Sequence, residues 1–299
     1  MVDLLENAIL PGAYPAPMPA AILDGKALAS SVRALVRDRV TKAGRPARLD
    51  AVLVGADPAA ELYAQSQGRT CAEVGIEYRL HRLPAGSGFE EIAGRVLLLN
   101  EDDAVRAIMV HLPLPAGVDV ERVQSLISPE KDVEGVNPAN IGNVVYGRRS
   151  LVPCTARAVV ELVESSGVKL AGAHCVVVGA SNIVGKPVAV LLMRAEATVV
   201  SGNKHTRDMK ALSRQADVLV VAAGVPHLVD ADWIKPGAVV IDVGIHRTPG
   251  PGGTTVTSGD VDFASASAVA GFITPVPGGV GPMTVAMLLR NVADACLGR

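Results

Sequence analysis

From residue 22 onward, stretches with apolar residues every three or four positions alternate with short, unbroken apolar runs, and this alternation predicts a βαβ chain built on parallel sheets. Asp24 stands where a helix cap belongs, and the helix it opens runs to about Lys42 and ends near Gly44. Residues 49–55 (LDAVLVG) read as an apolar strand. Asp57 caps a second helix over 57–75, with Pro58 at its first position. Residues 77–84 alternate as a strand, 88–100 follow a helical period, and 107–115 return to a buried strand. The polar stretch 128–143 is either a domain boundary or a functional loop. After a helix from Thr155 to about Ser165, strands follow at 174–179, 197–201, 218–224 and 238–244, a doubly wound nucleotide-binding pattern. A last helix, from about Met283 to Cys296, is expected to pack back on the first half.

The turn after the strand at 174–179 carries the clearest chemistry. VVVGASNIVGKP places Gly179 and Gly185 between a strand and a helix. The first glycine permits a tight turn and the second permits close helix–strand packing. The amides at the helix start then suit a pyrophosphate. The run departs from GxGxxG, because Ser181 stands where a second glycine would be. An ordinary strand–turn–helix connection is the bland reading, and the three strands that follow favour dinucleotide binding.

Composition excludes several classes. Charged residues make up 19% of the 299 and nearly cancel, to −2, so no field draws the chain to nucleic acid or an anionic membrane. Aromatic residues are 3%, too few for base-stacking platforms. No apolar run reaches the ~18 residues of a membrane span. The N-terminus lacks the pattern of a secretory signal, and its prolines suggest an extended arm. Cys71, Cys154, Cys175 and Cys296 lack zinc-ligand spacing, so no metal site is expected and reduced thiols in a cytoplasmic protein are the reading they support.

GASNIVGKP, VVIDVGIHR (239–247) and ITPVPGGVGPMT, together with ILDGKALA, VLVGADPAAELY, VHLPLPAGVD and PEKDVEGVNPANIG in the first half, resemble the methylenetetrahydrofolate dehydrogenase/cyclohydrolase family from Ala21 to the C-terminus. The resemblance implies an α/β fold of two domains: a folate/catalytic domain over 21–150, joined by the returning helix 283–299, and an NAD(P)-binding Rossmann domain over 151–282, with residues 1–20 as an arm. It implies oxidation of 5,10-methylenetetrahydrofolate to the methenyl form with NADP or NAD, hydrolysis of that product in many members, and a homodimer.

The same resemblance marks the candidate site. Where the family carries Tyr-x-x-x-Lys, this chain has Tyr63 and Gln67; the spacing of four puts both on one helical face, so Gln67 should point into the cleft. The family's glutamine in VQLPLP is His111 here, and the pterin-binding aspartate of its KDVDG loop is Glu134. Leu112, Pro113, Pro275, Val276, Pro277, Gly278, Gly279 and Val280 complete the implied substrate side. Asp132 is expected to play a structural role, bracing the loop that precedes it. Hydride loss needs alignment, whereas attack of water on the methenyl carbon needs proton management, which a glutamine amide does not supply. Gln67 should therefore weaken hydrolysis far more than hydride transfer. His111 either is structural or partly replaces the missing base.

The candidate cofactor contacts are Gly179, Ala180, Ser181, Asn182, Ile183, Gly185, Asn203, Lys204, His205, Ala223, Gly224, Val243 and Gly244. Lys204 and His205 stand where NADP-using relatives often have His-Ser, and they either meet a 2′-phosphate or are solvated loop residues. No acidic residue ends that strand, which favours NADP over NAD. A dehydrogenase with hydrolysis weak or lost is the leading reading. A non-catalytic folate or dinucleotide sensor, or a dehydrogenase for another pterin-linked substrate, is the alternative.

Overall fold

The computed structural model describes residues 19–148, 151–249 and 254–298, so the arm expected at the N-terminus lies, up to residue 18, outside the described residues. The described chain opens with β1 (Ala21–Ile22) and α1 (Gly25–Ala43). Asp24 caps α1 by accepting from the amides of Lys26 (2.9 Å) and Ala27 (3.1 Å), and Gly44 closes it in the left-handed conformation, φ 62°. Next come β2 (Ala47–Val54), α2 (Pro58–Glu73), β3 (Ile76–Leu83), α3 (Phe89–Glu101) and β4 (Ile108–Val110). The three strands form one parallel sheet in the order β3-β2-β4, so β2 lies at its centre and is almost fully buried. The expected strand at 107–115 is shorter than its apolar run, because Pro113 and Pro115 have no amide to donate.

Two helices occupy ground the hydrophobic pattern did not resolve. They are α4 (Val120–Ser125) and α5 (Pro138–Tyr146), the second inside the stretch that reads as boundary or loop. Asn137 caps α5 by accepting from the amide of Ala139 (2.8 Å), and Pro138 takes the first helical position, the same device as Asp57-Pro58.

The second half begins with α6 (Cys154–Ser165) and continues through β5 (His174–Val178), α7 (Gly185–Arg194), β6 (Thr198–Gly202), α8 (Met209–Ser213), β7 (Val218–Val221) and β8 (Val239–Asp242). An antiparallel hairpin, β9 (His246–Pro249) with β10 (Thr255–Ser258), precedes α9 (Phe263–Ala266), β11 (Phe272–Ile273) and α10 (Val280–Leu297). The parallel sheet runs β1-β11-β8-β7-β5-β6. Ala21 and Ile22, which the sequence assigns to the first domain, thus pair with Phe272 and Ile273 in the second sheet. Two-residue strands carry too little pattern to reveal such a partner.

The last helix returns as expected. Met283, Ala286, Met287 and Leu289 are buried where α10 packs against α1, α6 and β2, inside one apolar cluster that also takes in Leu49 of β2 and Val177 and Ile241 of the second sheet. Truncating a fully buried leucine such as Leu289 to alanine costs about 2–5 kcal/mol. This shared core fixes how the carboxyl ends of the two sheets stand relative to one another.

Candidate active site

The first cluster lies beyond the carboxyl end of β4. Its platform is the loop 131–137, whose shape follows from one buried carboxylate. Asp132, 0% exposed, accepts from the amides of Gly135 (3.1 Å) and Asn137 (2.7 Å) and from the Asn140 side chain (3.0 Å). Gly135 sits at φ 72°, and a Cβ there would fall 2.4 Å from the Val152 carbonyl carbon. The Asn291 side chain on α10 donates to the carbonyls of Val133 and Val152, both at 2.9 Å, tying the loop to the returning helix. Asp132 is therefore structural, as the sequence suggests, but it braces the loop that follows it rather than the one before.

Glu134 projects from this platform. The residue is half-buried, yet its Oε2 is buried without a hydrogen-bond partner among the described residues. Burial, reinforced by the nearby Asp132 charge, pushes its carboxyl up to about 7, against the lowering effect of a hydrogen bond from the Val110 amide. An orphaned carboxylate oxygen is costly to bury and is satisfied by a ligand that brings N–H donors.

The rings around it form a second wall. Tyr63, 47% exposed, meets His111 edge to face, with ring centroids 5.7 Å apart. Removal from water, aided by the Glu134 charge, raises the Tyr63 hydroxyl to about 12. His111 is buried, and its Nε2 lies 2.7 Å from the Tyr78 hydroxyl. Burial drops the imidazole to about 4, so it is neutral at physiological pH, and its Nε2 is already engaged. Both facts count against His111 as a substitute base. Tyr78 has no signal in the sequence, because only the sheet order shows that β3 brings it to His111.

Gln67 departs from expectation. It is 2% exposed rather than open to the cleft, and its amide nitrogen turns to Cys71 Sγ, 3.7 Å away along the same face of α2. Leu112 and Pro113 are exposed beyond β4, joined by a cis peptide bond. All four cysteines are free.

The second cluster lies at the carboxyl ends of β5, β6 and β7. A cavity of about 610 Å³ is lined by Gly179, Ala180, Ser181, Asn203, Lys204, His205 and Ala223, all expected there, and by Thr206, Met209, Leu228 and Trp233, which are not. Gly179 has φ 113°, and a Cβ on it would fall 2.0 Å from the Ala222 carbonyl oxygen. Gly185 is buried beneath the turn, where a Cβ would fall 1.9 Å from the Gly179 carbonyl oxygen. One expectation changes: the amides of Val184 and Gly185 donate to Ser181 Oγ at 3.2 and 3.3 Å, so the serine itself caps the start of α7. Lys204 and His205 are exposed at the cavity rim, on a turn in which Asn203 accepts from the His205 amide (2.9 Å) and donates to Thr206 Oγ1 (2.9 Å).

Asn182 and Ile183 reach toward the first half. Asn182 donates to Glu121 of α4 (3.1 Å) and accepts from Lys186 (2.7 Å), bridging the two units. Val243 and Gly244 lie with Lys26, Pro275, Pro277, Gly278, Gly279 and Val280 around a smaller cavity of about 140 Å³. Here a Cβ on Gly25 would fall 1.8 Å from the Gly279 carbonyl oxygen, so the glycine turn packs directly on the start of α1. A further depression of about 570 Å³, around Lys169, Asp217 and Lys235, opens at the amino ends of the strands, the wrong end of a doubly wound sheet for a dinucleotide.

Comparison with known proteins agrees with this geometry. Residues 23–134 match the catalytic domain, and residues 153–298 the NAD(P)-binding domain, of tetrahydrofolate dehydrogenase/cyclohydrolase. The bifunctional protein FolD of Moorella thermoacetica is 49% identical over 281 residues, covering 93% of this chain and 99% of the relative. A crystal structure of the bifunctional FolD from Campylobacter jejuni superposes with a TM-score of 0.87 at 38% identity, covering 92% of this chain and 98% of that one. The Trypanosoma brucei methylenetetrahydrofolate dehydrogenase-cyclohydrolase, solved with NADP and an inhibitor, superposes with a TM-score of 0.86 at 38% identity, covering 92% and 96%.

Proposed function

The chain belongs to the tetrahydrofolate dehydrogenase/cyclohydrolase family, and from that premise we infer that it oxidises 5,10-methylenetetrahydrofolate to the methenyl form with NADP, while its hydrolysis of that product is weak or lost. The observation that carries the second half is Gln67, a buried neutral amide where the family has its lysine.

The residues present fit the reactants. The glycine turn leaves room for no side chain at Gly179 or Gly185, and the 610 Å³ cavity beside it has Lys204 and His205 at its rim for a 2′-phosphate. NADP held there by the glycine turn and the cavity lining would supply the hydride acceptor. On the substrate side, Glu134 Oε2 accepts from the pterin's N–H groups, and the half-exposed Tyr63 ring offers it an apolar face. Loss of hydride leaves a cation shared between two folate nitrogens. His111, held neutral, adds no like charge beside it, and Glu134 in its ionised form favours it. Attack of water is different, because the product must shed a proton. Gln67 has no useful basicity and Nε2 of His111 is engaged by Tyr78, so neither activates water.

The sensor reading has no observation in its favour. We also propose a cytoplasmic location, in keeping with four free thiols, and a homodimer, which rests on the family resemblance alone; light scattering that gives one chain per particle would remove the dimer. The deciding experiment follows both activities on one sample: NADPH appearance with methylenetetrahydrofolate, and decay of added methenyltetrahydrofolate. Robust NADPH formation with methenyl decay at the buffer rate is expected. Enzymatic decay at a rate matching the dehydrogenase would overturn the assignment to Gln67, and no NADPH formation would overturn the dehydrogenase.

A further inference from the structure

We propose that Asp260 is a positioning residue for the cofactor, fixing the loop after β7 at a set distance from the glycine turn, with His246 of the hairpin holding its carboxylate in place. The inference rests on the reading of Ala223 and Gly224 as cofactor contacts.

Asp260 is 0% exposed, and its carboxylate is shared between two tasks. Oδ2 accepts from two consecutive amides, Ala223 (2.6 Å) and Gly224 (2.8 Å), while Oδ1 lies 2.7 Å from His246 Nε2. Hydrogen bonds to a charged oxygen are short and strong, and two from adjacent amides fix the orientation of both peptide planes. The opposite side of the same loop is pinned by contact. The Ala222 carbonyl stands so close to Gly179 that a Cβ there would fall 2.0 Å away. The Ala222–Gly224 segment is therefore clamped between the glycine turn and Asp260. Gly179 of the turn, with Ala222 and Ala223 of the clamped segment, lines the 610 Å³ cavity, and Asp260 is buried outside that lining.

Asp260 is itself placed by a second buried carboxylate. Asp242, at the end of β8, accepts from the Asp260 amide (3.0 Å), the Val261 amide (2.9 Å) and the Gly244 amide (2.9 Å). Space enforces this arrangement: a Cβ on Gly244 would fall 2.3 Å from Asp260 Oδ1, and one on Gly259 would fall 1.9 Å from Asp242 Oδ2. One network thus sets the loops after β7 and β8 together. A cavity wall held before the ligand arrives spares the ligand the cost of ordering it.

The structure also supplies the probe. Trp233 is the single tryptophan of the chain and lines the same cavity, so energy transfer from it to NADPH reports binding at this place. The experiment titrates NADPH against the full chain, Asp260→Ala, Asp260→Asn and His246→Ala, and measures the kinetic constants of each. Asp260→Ala is expected to weaken NADPH by at least about tenfold and to raise the KM for NADP similarly, with the KM for folate unchanged and kcat at saturation within about twofold. Asp260→Asn retains an oxygen for both amides and should recover binding to within about threefold. His246→Ala, which leaves the two amide bonds intact, should weaken NADPH about threefold; it also decides the matter if Asp260→Ala fails to fold. Unchanged titrations in Asp260→Ala and His246→Ala overturn the proposal, as does an Asp260→Asn no better than the alanine variant. A wild-type chain that binds NADPH by calorimetry without quenching Trp233 overturns instead the placement of the cofactor, and the positioning role with it.

Discussion

The two clusters are built by opposite rules. At the glycine turn the backbone fills the space: Cβ atoms at Gly179 and Gly185 would fall 2.0 and 1.9 Å from carbonyl oxygens. Nothing larger than hydrogen fits, and no neighbouring side chain can move to make room. Around Glu134 the contacts run between side chains, and they leave slack: a carboxylate oxygen without a partner, an imidazole held by one tyrosine hydroxyl, and an amide turned to a thiol. The glycine turn, the proposed cofactor end, thus admits no side chain at two positions, while the cluster around Glu134, the proposed folate end, is held by side chains rather than by close backbone packing. Chemistry diverges where packing permits it.

The sharpest test of this contrast is Gln67→Lys. Positioned general acid–base groups contribute about 10²–10⁴-fold, so restoring the amine should raise methenyl hydrolysis by up to about 10²-fold above the buffer rate, with NADPH formation changed far less. The gain stays below the full range because His111 and Glu134 keep their altered forms. Methenyl decay followed by absorbance measures it. No gain in a variant that still oxidises methylenetetrahydrofolate would show that Gln67 is not the limiting position.

Gly185→Val tests the other side. The added atoms push the Gly179 carbonyl and open the turn, so NADP affinity should fall at least about tenfold while folate binding is kept, as read by calorimetry. Equal affinity in a folded variant would mean that the turn yields, and the contrast between rigid and slack clusters would fall with it.

The pH dependence of folate binding gives a smaller effect with a definite sign. Glu134 is raised to about 7, so its charged form is disfavoured in the free protein. Donors from a bound pterin favour the charged form, and affinity should therefore fall as pH drops through about 7. The same shift makes the unliganded protein more stable below pH 7 and less stable as pH rises through it, because the unfolded carboxyl ionises more readily than the folded one. Glu134→Gln should flatten both curves. A folate affinity that is level from pH 6 to 8 would remove Glu134 from the pterin site. No inflection near the ordinary histidine value is expected from His111, which is held near 4.

What the sequence discloses follows the same division. The caps at Asp24 and Asp57, the stop at Gly44 and the glycine turn are local rules of backbone geometry, and the structure places them as read. The returning helix is legible as a helix that comes after the last strand of the second sheet's pattern, and it packs on α1, α6 and β2. The pairing of β1 with β11, the approach of Tyr78 to His111 and the clamp by Asp260 join residues 33 to more than 200 positions apart, and periodicity carries no information about such partners. Gln67 shows the limit most plainly. Its helical face follows from spacing alone, whereas its turn toward Cys71 depends on how α2 lies against its sheet.

Lys204 offers the mildest test, and it concerns the slack part of the rigid cluster. The side chain is exposed on the 203–206 turn, so any pairing with a 2′-phosphate is screened by water and is worth only about 1 kcal/mol. Lys204→Ala should weaken NADP several-fold and leave NAD unchanged, since the two cofactors differ only in that phosphate. Raising ionic strength should shrink the wild-type preference toward that of the variant, because a surface charge pair weakens with salt. His205, at the same rim, has an amide already committed to Asn203 and reaches the phosphate only with its ring. If Lys204→Ala weakens both cofactors alike, the lysine supports the turn rather than reading the phosphate. The choice between NADP and NAD would then pass to His205, exposed at the same rim.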